Sequence, residues 1–525
     1  MKKFAELLDR LSYTPSRNGK LTLLQDYFRT TADPDRGFAL AAFTDKLPLR
    51  LPLRKIITIL SETRFDPVLY RLSRDYVGDS AETLALIWEP RSKSASPAGL
   101  TAIVETLRHA STSTMAAQIA KLLDQLNSVE RWALLKFLSG ALRVGVSARL
   151  AKYSLALAFS KDLSEIEELW HGQTPPYVEL FEWLVGIGER PLNPNNLTFK
   201  PLMLANPLEE SDWEKLLLMD YAFEWKWDGI RVQLVGRGEE IALFSRNGDE
   251  IGKSFPELLS LQNFNAVLDG ELLIKGEGEV QSFSDLQQRL NRKTVTSAIQ
   301  KTYPAHIRLY DALEIDGIDL RNLPFEERRT RLEQWYESSG VRNIDLSPLI
   351  RVENKVEMRE MWKNARVSGV EGLMIKLKKS PYLAGRPQGK WFKWKRDALV
   401  ADCVLMYAQR GSGKRSSYYS DYTFGAWTPE NDVQVLVPVG KAYSGFTDAE
   451  LLKIDRFVRE NTVQQFGPVR AVSPTLVFEV AFDSINRSKR HKSGLAMRFP
   501  RISRIRWDKL ASEADSVITL LNLAE

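Results

Sequence analysis

The sequence predicts three domains in series: an all-α N-terminal domain, an α+β central domain and a small C-terminal β-barrel. Three observations carry this. At 525 residues the chain holds apolar material for about three cores of ordinary size. Apolar residues change from helical spacing to short alternating runs near residue 195. After Arg396-Asp397 the pattern changes again, to strands with one helix among them.

Up to about residue 190 the pattern is helical. Phe4, Leu7, Leu8 and Leu11 recur at helical spacing, and so do apolar residues in 100–109, 114–126 and 129–138. Ser128 is the expected cap of the last segment, and Pro48, Pro52, Pro90 and Pro97 separate helices. Arg190, Pro191, Pro194, Asn195 and Asn196 read as a linker, which sets the domains at 1–195, 196–396 and 397–525. In the second domain, strands are expected at 222–225, 231–234, 241–245, 266–274, 307–313 and 372–376, with helices near 283–291 and 325–338. In the third, strands at 399–408, 422–428, 432–439 and 476–482 surround a helix over 447–460 capped by Thr447. Several strands and one helix in so short a domain suit a Greek-key barrel of the OB-fold type.

Composition excludes several classes. One cysteine, Cys403, permits no internal disulfide and no Cys-based zinc site, which suits the cytoplasm. No apolar run reaches the length of a membrane span, and Glu6, Asp9 and Arg10 interrupt any signal-peptide core. The net charge of +6 favours a polyanionic partner only weakly. Its distribution says more. Basic runs at 390–396, 410–415, 487–492 and 498–506 interleave with Trp391, Trp394, Tyr418, Tyr419, Phe499 and Trp507, a pattern suited to contacting phosphates.

The most informative segment is Glu224-Trp225-Lys226-Trp227-Asp228-Gly229-Ile230-Arg231. A lysine amine becomes a nucleophile when it is desolvated or set beside other cations. Flanking tryptophans could supply desolvation, so Lys226 is a candidate covalent nucleophile. Alone, the segment equally describes a surface lysine entering a turn. Other segments follow in an order that makes sense for nucleotidyl transfer. Arg246 ends a strand at a Ser-Arg-Asn-Gly turn, where it could bind ribose or phosphate, and Glu271 follows an Asp-Gly kink, where it could hold ribose hydroxyls or a metal. Tyr310 lies in an apolar strand and could stack on a purine or fill a core. Glu371 and Lys376 lie an odd number of steps apart, so a straight strand sends them to opposite faces unless a glycine distorts it. Lys393 and Lys395 share one face of a strand and repel unless an anion lies between them, which argues for a bound phosphate. Arg498, Arg501, Arg506 and Lys509 add cations in the last domain. Gly411-Ser412-Gly413-Lys414 is not a P-loop, because Ala408 and Arg415 break the pattern.

Taken in order, these segments resemble the nucleotidyltransferase superfamily of polynucleotide ligases and mRNA capping enzymes, and most closely the ATP-dependent DNA ligases of a bacterial three-domain form. The segment 138–146, Lys200-Pro201-Leu202-Met203 and Arg490-His491-Lys492-Ser493-Gly494 extend the resemblance over essentially the whole chain. It implies a helical DNA-binding domain, an adenylation domain and an OB-fold domain. Lys226 would form the AMP phosphoramidate, Glu224 would read the adenine edge and Tyr310 would stack on the base. Arg231 and Arg246 would contact ribose or the nick phosphate. Glu271 would bind ribose or metal, Glu371 metal, and Lys376, Lys393 and Lys395 phosphate. Arg498, Arg501, Arg506 and Lys509 would assist the first step from the barrel. ATP and Mg²⁺, with Mn²⁺ as a substitute, are the implied cofactors. Nicked duplex DNA is the implied partner, and the protein would act as a monomer in the cytoplasm, at the nucleoid. Trp227 stands where many relatives carry tyrosine. A capping-type guanylyltransferase shares the core but needs no helical domain. A non-catalytic nucleic-acid binder would not need the near-complete set of Lys, Glu and Arg positions. NAD⁺ as adenylate donor accompanies a cysteine zinc module that this chain cannot build.

Overall fold

The structure of the protein, a computed structural model, describes residues 1–49, 51–91, 98–140, 142–191, 197–276, 278–290, 292, 294–363, 369–411, 418–431, 433–488 and 491–523. Pro194, Asn195 and Asn196 of the expected linker, Ala141, residues 412–417, Lys489 and Arg490 lie outside them. The chain forms two compact units. One comprises residues 1–161, 174–189 and 397–525, and the other 162–173 and 190–396. Residues 162–173 thus belong with the central unit rather than with the helices that precede them.

The N-terminal part is helical, from Lys2–Tyr13 to Val178–Val185. Phe4, Leu7, Leu8 and Leu11 are buried as their spacing predicts. The Ser128–Ser139 helix is capped one residue earlier than expected. Asn127, not Ser128, accepts from the Glu130 amide, and the Glu130 carboxylate accepts from the Asn127 amide. The helix stops at Gly140, whose φ of 71° is open to glycine at little steric cost. Among the described residues no helix is long and apolar enough to cross a membrane.

The central unit is built on two sheets. In the first, the Lys226 strand (Tyr221–Trp227) lies between Leu349–Ile350 and Val370–Leu377, and the latter pairs with Trp391–Lys395. In the second, the order is Glu240–Ser245, Ile230–Gly238, Phe264–Gly276, Ala305–Ile315 and Ile318–Asp319. One apolar cluster takes Ala222 and Trp391 from the first sheet and Val235, Val267 and Leu313 from the second, so the sheets share a core. A second cluster, with Trp213, Phe223, Met358, Leu373, Ile375 and Phe392, covers the opposite face of the first sheet. The helix Phe325–Ser339 forms as expected, whereas the one near 283 ends at Gln287. Just beyond it the buried Arg289 guanidinium binds Glu257 and the carbonyls of Ser254 and Tyr303.

The C-terminal part is strand-rich. Seven strands form one sheet: Leu399–Arg410, Tyr419–Glu430, Val433–Ala442, Thr462–Phe466, Val469–Val472, Val477–Phe482 and Arg501–Arg506. The helix Asp448–Glu460 packs on its core, and Thr447 caps it as expected, accepting from the Glu450 amide. Arg501–Arg506 carries Ile502 and Ile505 three apart, a spacing that hides a strand. A bulge explains it. Glu479 pairs with Arg504 and Val480 with Ile502, so Ser503 is the extra residue and both isoleucines reach the core.

Candidate active site

Strand register decides which side chains meet. Lys226 pairs with Gly372, which pairs with Lys395, and Glu224 pairs with Met374, which pairs with Lys393. Ala222, Lys376 and Trp391 form the next row. Directly paired residues share a face, so Glu224, Lys226, Met374, Lys376, Lys393 and Lys395 project from one side of the sheet. Phe223, Trp225, Leu373, Ile375, Phe392 and Trp394 project from the other. This corrects the expected role of the tryptophans. Trp225 packs with Trp394 and Trp213 in the outer cluster. The Trp227 indole N–H donates to Ser347 at 3.1 Å, and the Arg308 guanidinium lies 4.1 Å from its ring centre. Desolvation of Lys226 therefore does not come from its two neighbours.

Glu371 reaches the Lys226 face through a bulge. Val370 pairs with Trp227 and Gly372 with Lys226, leaving Glu371 as the extra residue. Its carboxylate accepts a hydrogen bond from Lys226 Nζ, and its other oxygen lies 3.2 Å from Lys395 Nζ. Burial raises the Glu371 pKa, but the charges of Lys226 and Lys395 outweigh burial and hold it below the ordinary value. Gly372 makes the turn possible. Its φ is 146°, and a Cβ there would stand 2.1 Å from the Trp394 carbonyl oxygen.

Tyr310 also sits at a bulge. Asp269 pairs with Asp311 and Gly270 with Leu309, so Tyr310 is the additional residue. Its ring lies 4.5 Å from Lys376 Nζ and 5.7 Å from the Arg231 guanidinium carbon. Tyr310 is thus part of the site rather than of the apolar core, and burial raises its pKa well above the usual value. Lys376 is buried among the rings of Tyr310, Phe325 and Trp391 and lies 2.7 Å from Glu224 Oε2. Arg329 lies 3.5 Å from the other Glu224 oxygen. Burial raises the Glu224 pKa against these two cations.

Arg231 is engaged by the protein itself. It grips Asp269 through Nε at 3.0 Å and Nη2 at 2.6 Å, donates through Nη1 to the Met203 carbonyl at 2.7 Å, and meets the Tyr382 hydroxyl at 3.1 Å. That hydroxyl donates to Asp269 at 2.6 Å. Burial is the largest influence and disfavours the Arg231 charge, but Asp269, Tyr310 and Tyr382 together outweigh it and hold the pKa well above its usual value. Beneath this pair lies another buried bidentate one, Arg328 on Asp311 at 2.9 and 2.8 Å.

Glu271 lies opposite Arg231 across its ladder. Burial pushes its pKa up to about 8; Lys226 and Arg231 oppose the rise, and Glu371 and Asp269 add to it. Folded protein therefore holds one more proton here than unfolded chain between about pH 4.5 and pH 8. Stability from this site is full below the unfolded value and falls as pH rises toward the folded one. Glu271→Gln is expected to be more stable than the parent at pH 8.5, with the advantage shrinking toward pH 4; melting curves across this range check it.

Three further cations, Lys393, Arg246 and Arg386, lie close enough to act on one another. Burial lowers the Lys393 pKa first, and then Arg386, Lys226, Lys395 and Arg246 lower it further. Arg246 is lowered by burial and by Arg231 and Arg386. Such a cluster suits a bound polyphosphate. Arg386, Met374, Asp269, Tyr382 and Arg329 are members that the sequence reading missed. Arg386 follows a Gly and precedes a Pro, and its proximity to Lys393 is tertiary. Arg501, Arg506 and Lys509 lie in the other compact unit. There Arg501 meets Asp483 at 3.4 Å, Arg506 meets Asp508 at 2.9 Å, and Lys509 meets Asp402 at 2.7 Å.

Comparison with known proteins places this geometry in a family. Residues 1–156 match the family described as DNA ligase N terminus, 202–395 the ATP dependent DNA ligase domain, and 415–509 the ATP dependent DNA ligase C terminal region. The chain is 34% identical over 427 residues to a "Probable DNA ligase" of Koribacter versatilis (strain Ellin345), covering 76% of this chain and 73% of that one. It is 30% identical over 537 residues to "DNA ligase 1" of Korarchaeum cryptofilum (strain OPF8), covering 98% and 97%. Its fold is similar to that of the solved structure "Pmar-Lig_PreS3", with a TM-score of 0.59 at 17% identity over 96% of this chain and 99% of that one. These matches along its length identify the chain as a member of the ATP-dependent DNA ligases, enzymes that seal nicks in duplex DNA through a lysine-AMP intermediate.

Proposed function

We propose that Lys226 is the residue that carries AMP. The observation that supports it most is the Nζ held by Glu371 beside Lys393 and Lys395. In the first step the Lys226 amine forms a bond to the α-phosphorus of ATP and the bond to pyrophosphate breaks. Glu371 aims the amine and is the nearest base for its proton. In the second, an oxygen of the 5′-phosphate at the nick attacks the same phosphorus and Lys226 leaves. In the third, the 3′-hydroxyl attacks the 5′-phosphorus and AMP leaves. Each step is a phosphoryl transfer, so the protein supplies placement and positive charge.

Lys393 and Lys395 take the α-phosphate. Tyr310 and Met374 bound the base, and Glu224, kept in place by Lys376 and Arg329, faces its edge. Arg231 positions the pocket through Asp269, and the contact to ribose or the nick phosphate falls to Arg246. Glu371, on the strand beside Lys226, and Glu271, on the Phe264–Gly276 strand of the second sheet, are hard oxygen donors, a set that fits Mg²⁺ or Mn²⁺, which would neutralise phosphate charge. Among the described residues no group of three or more His, Cys, Asp or Glu forms a metal site, so phosphate oxygens and water would complete the shell.

Arg498, Arg501, Arg506 and Lys509 serve the first step, when the C-terminal domain faces the pyrophosphate. Its strand-rich architecture, with the Asp448–Glu460 helix packed on the sheet, supports an OB-fold, with domains at 1–195, 196–396 and 397–525. The protein works as a monomer, at the nucleoid within the cytoplasm, on nicked duplex DNA.

Incubation of de-adenylated protein with ATP and Mg²⁺ is expected to add one AMP, and peptide mapping to place it on Lys226. GTP and NAD⁺ are expected to add nothing. A GTP adduct would favour the capping-type alternative, and an adduct on another residue would overturn the assignment.

A further inference from the structure

We propose that Asp402 is a positioning residue for the first step, holding Lys509 and Arg506 together as a pair that can grip one phosphate group. This rests on the assignment of those two cations to pyrophosphate. Asp402 lies near the start of the Leu399–Arg410 strand, opposite Glu479, and Glu479 lies opposite Arg504. Alternation puts these three on the face away from the domain core, which takes Ala401, Cys403 and Phe478 instead. The Asp402 backbone is pinned on both sides. Its N–H donates to Asp515 Oδ2 at 2.8 Å, and its carbonyl accepts from the Asp515 amide at 2.9 Å.

From this fixed point, Oδ2 receives Lys509 Nζ at 2.7 Å and lies 3.5 Å from Arg506 Nη1. Arg506 is oriented a second time by Asp508, through Nε at 3.1 Å and Nη2 at 2.9 Å. Asp402 and Asp508 balance the two cations in charge, and what Asp402 adds is spacing: one carboxylate oxygen holds both donors close enough to turn toward a single phosphate oxyanion. The Asp402 carboxylate makes these contacts through one oxygen only. Its other oxygen, Oδ1, is buried and takes no hydrogen bond among the described residues, an arrangement that costs stability. An amide in its place would keep the volume and lose the hold on Lys509.

The test separates the reaction steps. Asp402→Asn is expected to raise the ATP concentration for half-maximal adenylation and to slow single-turnover adenylation by roughly tenfold or more. Sealing of a nick that already carries AMP is expected to stay within about twofold, because no pyrophosphate is handled there. Asp402→Glu, which keeps the charge, should recover part of the loss. Equal losses in both assays, or a lowered melting temperature that explains them, would overturn the proposal. Arg506→Ala and Lys509→Ala are measured alongside. If they slow adenylation and Asp402→Asn does not, the positioning role fails and the cation assignment stands. If neither slows adenylation, the assignment itself fails.

Discussion

Lys226→Ala is expected to remove protein adenylation and, with it, ATP-driven nick sealing. The loss should reach at least about four orders of magnitude, because the covalent route closes when its nucleophile is gone. Intact mass after incubation with ATP and Mg²⁺ reads the first effect, and sealing of a labelled nick reads the second. The variant should still join a nick prepared with AMP already on its 5′-phosphate, since the 3′-hydroxyl is the nucleophile in that step. The fold should survive, because Lys226 and its ion-pair partner Glu371 are both partly exposed. An AMP adduct on the alanine variant would remove Lys226 from the mechanism.

Gly372→Ala is expected to damage both stability and adenylation. The backbone there has a φ of 146°, and an added Cβ would lie 2.1 Å from the Trp394 carbonyl and 2.9 Å from the Lys395 Cα. Both neighbours are backbone in a strand that carries Lys393 and Lys395, so neither can swing aside. The cost should be about 2–4 kcal/mol of folding stability, from strain plus displaced strand pairing. Relief would require flattening the bulge, which would turn Glu371 away from Lys226. Denaturant unfolding and single-turnover adenylation measure the two effects. A variant that loses stability yet adenylates at the parent rate would show that the bulge does not aim Glu371.

Much of the fold was legible in the chain. Apolar spacing located the N-terminal helices, the central strands and the Thr447-capped helix because each buries one face and repeats at its own period. Lys226, Glu224, Lys393 and Lys395 could be read as a group, since regular strands alternate and keep i and i+2 together. The failures share a cause. Glu371, Tyr310 and Ser503 each sit at a bulge, where one extra residue resets the alternation. The odd spacing of Glu371 and Lys376 serves one site only with the glycine distortion that Gly372 supplies, Tyr310 could be read as core or as a platform for a purine, and Arg501–Arg506 does not alternate as a strand. The tryptophans failed for the opposite reason. Strict alternation turns Trp225 to the outer cluster, although adjacency in sequence suggested that it shields Lys226.

Domain order and the ordered charged segments, with Lys226 as the proposed nucleophile among them, could be read from the chain alone, because these depend on local period and on residue type. Which charges are committed to partners inside the fold depends on tertiary contacts that the chain order does not display. Arg231 is committed to Asp269, and Arg328 to Asp311, through bonds that join residues distant in the chain. Lys393, Arg246 and Arg386 act on one another across loops and sheets, with Glu271 as an opposing charge near Arg246, and this gathering of cations is what the nucleotide's phosphates would neutralise. Pairing is a property of distance in space, and a sequence fixes such distances only through the register and bulges of the finished sheets.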